Sequence, residues 1–248
     1  MSAEAMDRTI PGTDPTAVEL IVAIHTGDIE TLGRLLAADS SLARLRMVGR
    51  KGGTRTPLHV VADWPGYFPN GPEIVRLLVE TGADPNARDP GPGSETPLHW
   101  AASSDDVDVA AALIDAGADI EAPDGSIGNP LANAIGYGCW DVARLLLARG
   151  ARVDEPWHAA AMGLLPRLQE LLGDQLAPDE VSKAFWHACS GGQRRAAEYL
   201  LSRGADLNWV PDYAEGTPLD AARGRGTRQE NVISWLVKLG ARSSKPDA

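Results

Sequence analysis

Cysteine is almost missing from this chain: Cys139 and Cys189 are the only two, too few for a disulfide framework or a thiolate metal cage. No apolar run approaches the roughly 18 uninterrupted residues of a membrane span. The opening residues, MSAEAMDRTIPGTDPT, carry no basic segment followed by an apolar one. A soluble, cytoplasmic protein without a membrane partner is expected. Basic residues are also short, and the formal charge of −11 disfavours a phosphate-backbone ligand, so no nucleic-acid partner is expected. There is no HExxH and no carboxylate set at matching spacing on one helix, and the reading is of no metal and no cofactor. The glycine-rich stretches GRKGGTR (49–55) and RGRGTRQE (223–230) lack GxxxxGK[ST] and follow no strand, so they read as turns rather than phosphate cradles. What remains is a chain of 248 residues, 44% hydrophobic, with enough apolar material to bury a core.

That material is periodic. RTPLHVVA, ETPLHWAA, GNPLANAI and GTPLDAAR begin at Arg55, Glu95, Gly128 and Gly216. Behind them come EIVRLLVETGAD, DVAAALIDAGAD, DVARLLLARGAR, AAEYLLSRGAD and NVISWLVKLGAR. The glycines that close these runs stand 35 positions apart from Gly82 to Gly117, 33 to Gly150, and 36 from Gly204 to Gly240. A period of this size marks stacked supersecondary units. Thr before Pro suits a helix start, and the closing Gly suits a left-handed helix end. Each unit therefore reads as a short helix, a turn, a second amphipathic helix and a second turn. A helix pair of this size cannot bury its apolar side alone, so the pairs must stack.

With Thr96-Pro97-Leu98-His99 followed by Trp100-Ala101-Ala102, and Leu113-Ile114 ahead of Gly117-Ala118-Asp119, the chain resembles the ankyrin-repeat family. The resemblance spans about 14 to 242 and implies an all-α repeat solenoid, an ankyrin-like stack of helix-turn-helix units with hairpin-like fingers. About seven units are expected, at 14–45, 53–86, 93–120, 126–153, 154–180, 181–208 and 215–242. Residues 1–13 and 243–248 read as tails. His59 and His99 occupy the TPLH position, where the resemblance implies a brace between neighbouring repeats.

The departures from this pattern supply the candidate sites. Unit two carries about five extra residues between its helices, DWPGYFPNG, in which prolines 65, 69 and 72 stiffen the loop and Trp64, Tyr67 and Phe68 are available for contact. In units five and six, Trp157-His158 and Trp186-His187 lie 29 positions apart, with Trp where the family has its histidine. Trp100, His158 and His187 then share the next position, which the resemblance places near a concave groove, with Ser103 close by. Tyr137 stands at the helix turn of unit four, and Trp209, Asp212 and Tyr213 lie in the turn after unit six. Seven tryptophans against two phenylalanines favour recognition surfaces. Trp235, on the apolar side of the last helix, reads as core and His25 as exposed.

Two functions fit. The resemblance implies a protein partner, neutral or basic, held in an aromatic-rich groove without covalent chemistry. Alternatively, His158 and His187, aided by Asp63, are catalytic candidates in a Trp/His-lined pocket for a small organic ligand, turning it over by acid-base isomerisation or cyclisation.

Overall fold

The computed structural model describes residues 8–49, 52–88, 94–173, 177–224 and 230–244. The chain divides into two compact units, residues 1–151 and 152–248.

The first unit begins with a helix pair, α1 (Pro15–Thr26) and α2 (Ile29–Ala38). It continues through α3 (Pro57–Val61) with α4 (Gly71–Glu80), α5 (Pro97–Ser104) with α6 (Val107–Asp115), and α7 (Pro130–Tyr137) with α8 (Trp140–Ala148). First helices pack on first helices, α1 on α3 on α5 on α7, and second on second, α2 on α4 on α6 on α8. Leu20, Ile24, Leu32, Leu58, Ile74, Leu78, Leu98, Leu113 and Leu131 from both rows are fully buried between them. The local reasons are capping and periodicity. Asp14, Asp28, Asp106 and Asn129 each accept a first-turn N–H, and proline opens α1, α3, α5 and α7.

The motif histidines couple one repeat to the next. The Thr56 N–H donates to His59 Nδ1 at 3.2 Å, which leaves Nε2 as the protonated nitrogen, facing the Glu95 carbonyl at 3.1 Å. His99 does the same with the Thr96 N–H and the Gly128 carbonyl, both at 3.1 Å. Both rings are buried, and burial above all lowers the pKa of His99. Each imidazole thus satisfies a helix start behind it and a carbonyl ahead of it.

One departure from the expected tail lies at the front. Thr9–Pro11 forms strand β1, parallel to β2 (Arg46–Val48), which pairs antiparallel with β3 (Thr54–Arg55); Ile10 faces Met47 in register. The reason is that the chain returning from α2 offers unpaired backbone groups, and the Arg46 and Gly12 N–H groups bond across at 2.9 and 2.8 Å. Residues 1–7 of the expected tail lie outside the described residues.

The second unit holds α9 (Pro156–Ala161) with α10 (Leu165–Leu172), α11 (Pro178–Ser190) with α12 (Arg194–Ser202), and α13 (Pro218–Arg223) with α14 (Glu230–Lys238). Its core joins Leu168, Leu172, Phe185, Leu200, Val232 and Leu236. Trp235 packs partly buried against it, edge-on to Phe185. In the last repeat Asp220 replaces the motif histidine. It accepts from the Thr217 N–H at 2.9 Å, the Ser243 hydroxyl at 2.5 Å and the Ser244 N–H at 2.9 Å. Burial would raise its pKa, but these donors hold the carboxyl well below its ordinary range. Ser243 and Ser244 are therefore tied down rather than forming the start of a tail; residues 245–248 lie outside the described part.

The expected fingers are turns rather than hairpins among the described residues, and asparagine links them. Asn86 Nδ2 donates to the Gly117 carbonyl at 2.9 Å while its Oδ1 accepts from the Asp119 N–H at 2.7 Å. Asn208 accepts from the Arg242 N–H at 2.7 Å in the second unit. The fold class is the helical repeat solenoid, supplemented by one short sheet.

Candidate functional site

In the first unit the insert 62–70 joins α3 to α4 and exposes two aromatics, Trp64 at 79% and Tyr67 at 58% of their surface. Its backbone is held from both sides. The Tyr67 N–H donates to Asp106 Oδ2 at 2.5 Å and its hydroxyl to the Asp105 carbonyl at 2.7 Å. Asn70, in the left-handed conformation with φ 57°, donates from Nδ2 to the Gly27 carbonyl at 2.9 Å. Gly27 itself has φ 70°, and a Cβ there would stand 2.4 Å from the Pro69 carbonyl oxygen, so only glycine lets the insert seat on the turn between α1 and α2. Phe68 stacks on His25 with centroids 4.3 Å apart and planes 14° from parallel. His25 is half-buried under that ring instead of exposed, and burial is the main cause of its lowered pKa. The surrounding helices hold the backbone of this loop while Trp64 and Tyr67 stay exposed on it.

Asp63 is engaged within the first unit. Its carboxylate binds Arg55 at 2.8 Å and accepts the Trp64 N–H at 2.8 Å, and its charge acts on His25. Trp100 is half-buried and edge-on to His59 at 5.1 Å, bordering an open depression of about 1040 Å³ walled by Ile10, Pro11, Val48 and Arg55. Asn133 shares its repeat position but is fully buried, and donates to Glu95 Oε1 at 2.7 Å. Ser103 is spent on the His99 carbonyl at 2.9 Å, and Tyr137 bonds Ser126 at 3.2 Å. Cys139 is buried, with its Sγ 3.4 Å from the Ser103 carbonyl, and is no exposed nucleophile.

The second unit gathers Trp157, His158, Trp186, His187 and Tyr213. The Trp157 indole lies 4.0 Å from the His158 ring and 4.6 Å from that of His187, with the Lys183 ammonium 5.5 Å above it. Trp157 is 7% exposed and both imidazoles are 4% exposed. Both nitrogens of His158 and Nδ1 of His187 have no hydrogen-bond partner; His187 Nε2 lies 3.2 Å from the Tyr213 hydroxyl. Burial, aided by the Lys183 charge, lowers His158 to about 4 and His187 to about 3, so both are neutral at pH 7. Burial, then Asp212 and Glu180, raises the Tyr213 pKa.

Trp186 is different from the rest of this cluster. It stands at the same remove from the left-handed Gly192 as His99 does from the left-handed Asp105, and its Nε1–H donates to the Gly216 carbonyl at 3.0 Å. That carbonyl precedes Thr217 as Gly128 precedes Asn129. An indole has therefore taken over the brace of the motif imidazole.

A profile of ankyrin repeats (three copies) matches residues 70–156. The ankyrin-repeat domain of Bcl-3, described in its crystal structure as a unique member of the IkappaB protein family, aligns with 89% of this chain and 97% of its own at 27% identity and a TM-score of 0.50. The chain belongs to the ankyrin-repeat family. The B-cell lymphoma 3 protein homolog of Mus musculus is 28% identical over 198 residues, which make up 76% of this chain and 36% of that protein. The ankyrin repeat and KH domain-containing protein mask-1 of Caenorhabditis elegans is 30% identical over 231 residues, 90% of this chain and 8% of that one. The ankyrin chain thus spans well under two thirds of either relative's length.

Set on the ankyrin framework, the predicted residues separate into two groups. Trp64 and Tyr67 come together on the insert, with Phe68 beneath as an anchor. Trp157, His158 and His187 come together in the second unit, largely buried against one another, with the exposed Tyr213 stacked beside His187 at their edge. Trp186 belongs to the structural brace, and Trp209 is half-buried in a turn where its N–H meets the Asp206 carbonyl at 3.3 Å. Asp212 is exposed beside Tyr213. Sequence reasoning missed Asp105 and Asp106, in the turn SSDDVD, as the seat of the insert. Among the described residues no group of three or more His, Cys, Asp or Glu is placed to hold a metal.

Proposed function

We propose that this chain is a protein-binding ankyrin scaffold whose contact residues centre on the insert of its second repeat. One observation carries the reading: Trp64 and Tyr67 are exposed on a loop whose backbone is bonded to the helix pairs before and behind it. A loop whose backbone is already ordered loses little freedom on binding, and large aromatics supply much of the energy of typical interfaces. Membership of a family that offers its turns and helix ends to other proteins agrees with this. The acid-base reading has less support. His158 and His187 face no carboxylate hydrogen-bond partner, and their low pKa values make them weak bases. Both rings pack against Trp157, at 4.0 and 4.6 Å between centroids.

The test is site-specific photo-crosslinking. A benzophenone amino acid in place of Trp64 should trap a protein partner in cells, whereas the same group in place of Val237, also half exposed, should not. Equal trapping from both positions, or none from 64, would overturn the reading.

A further inference from the structure

The second unit seals its two imidazoles without satisfying them. Both nitrogens of His158 and Nδ1 of His187 are buried and unbonded, although a neutral imidazole carries one donor and one acceptor. The charges around them do not help. From α11 the Lys183 ammonium, after burial, lowers the pKa of both rings, and His158 lowers that of His187 further. Asp154, ahead of α9, opposes this at His158, but it faces Arg167 of α10 at 3.7 Å. On α12 Arg194 pairs with Glu198 at 2.8 Å, on α13 Asp220 is tied to Thr217 and Ser243, and Asp212 and Glu180 act on Tyr213.

One turn covers His187. The Asp206 N–H donates to the Ser182 hydroxyl of α11 at 3.0 Å, and the Gly216 carbonyl accepts from Trp186 of α11 at 3.0 Å. Between these anchors residues 210–215 form neither helix nor strand, and among the described residues they make no backbone hydrogen bond. From the middle of the stretch the Tyr213 ring stacks on His187, planes 17° apart, meets Trp186 edge-on and keeps its outer side in water. Its hydroxyl, 3.2 Å from His187 Nε2, ties the turn to α11.

We propose that the turn 207–215 is an acid-released lid: Tyr213 closes it on His187 at neutral pH, and protonation of His187 and His158 lifts it and brings the Trp157 indole to the surface. Protonation makes both nitrogens of each ring donors. His187 Nε2–H keeps the Tyr213 oxygen as acceptor, but Nδ1–H and both N–H groups of His158 have none, and two buried charges then stand near Lys183. Admitting water costs less than burying them. The lid gives way first because α9 and α11 stay packed in the core of the unit through Ala159, Ala160, Phe185 and Ala188. Open, the imidazoles take protons near the ordinary 6.5; closed, only near 4 and 3. The closed state is therefore favoured above pH 6.5 and loses ground as the pH falls below it. The device lies in the second unit and is independent of the insert, which belongs to the first.

The experiment labels the full chain with 5-fluorotryptophan and reads exposure as the fluorine shift between H2O and D2O. The Trp157 and Trp235 signals are assigned by their loss in Trp157→Phe and Trp235→Phe. Trp157 should ignore the solvent near neutral pH and respond to it reversibly between about pH 6.5 and 4.5, with a steepness of about two protons. Trp235, packed against the core of the same unit, should not change over that range. Tyr213→Phe keeps the ring and removes the hydroxyl bond, so it should favour the open state about fivefold and raise the midpoint by about 0.3 in pH. His158→Leu with His187→Phe should keep Trp157 shielded throughout; if that variant does not fold, Tyr213→Phe carries the test. A joint response of Trp157 and Trp235 would show the unit unfolding as a whole. That result, an unresponsive Trp157, a midpoint indifferent to the Tyr213 hydroxyl, or opening that survives in the folded double variant would each overturn the proposal.

Discussion

At the scale of single residues, the two Trp-His pairs look alike in sequence and do different work. Trp186 replaces a histidine as the donor to a buried carbonyl, so Trp186→Phe should keep the packing and orphan Gly216. Such a loss typically costs about 1–3 kcal/mol, and urea unfolding should show it as a lowered midpoint with an unchanged slope. His158 and His187 give a pH signature. Free imidazoles take a proton near 6.5, whereas the folded ones resist until about 4 and about 3. The unfolded chain therefore gains protons first. Stability present above pH 6.5 is lost as the pH falls, levelling only below about 3, and the loss is on the order of 3 kcal/mol per imidazole by pH 4. Urea midpoints taken from pH 7 to pH 4.5 should fall steeply for the wild type and less steeply for a His158→Leu, His187→Phe variant. Parallel curves would contradict the buried, neutral state.

At the scale of elements, the repeat was legible because each unit writes its own caps, period and glycine stop, and these local signals agree with the stacking. The insert was legible as an interruption, but its docking was not. Nothing near Gly27 announces that Pro69 will lie against it, and nothing in SSDDVD says that Asp106 will accept from Tyr67. Those contacts join residues about forty positions apart and depend on the stack. The strand at Thr9–Pro11 was missed for the same reason, since its partner lies beyond two helices. Removing 64–70 deletes bonds to Gly27, Asp105 and Asp106, whereas Trp64→Ala removes a side chain that touches mostly water and should stay within about 0.5 kcal/mol of wild type. Gly27→Ala should do the opposite. It strains a left-handed position and collides with Pro69, so it should destabilise by about 1–3 kcal/mol and loosen the insert, seen as faster amide exchange at Tyr67.

At the scale of the whole molecule, two compact units divide the features between them: the first carries the exposed aromatic insert and the second the buried Trp/His cluster. The family could be read from motif halves in register. The site could be read only in part, because a tryptophan outside the repeat pattern can stand exposed, as Trp64 does, or replace a brace, as Trp186 does, and only the structure tells the two apart. The central claim is that the insert binds a protein through Trp64 on a rigid seat. The most direct measurement is the affinity of the crosslinked partner, once purified, for wild type and Trp64→Ala by calorimetry, with melting curves on both. The account predicts at least tenfold weaker binding, about 1.4 kcal/mol or more, at an unchanged melting temperature. Equal affinities for the two proteins would contradict it.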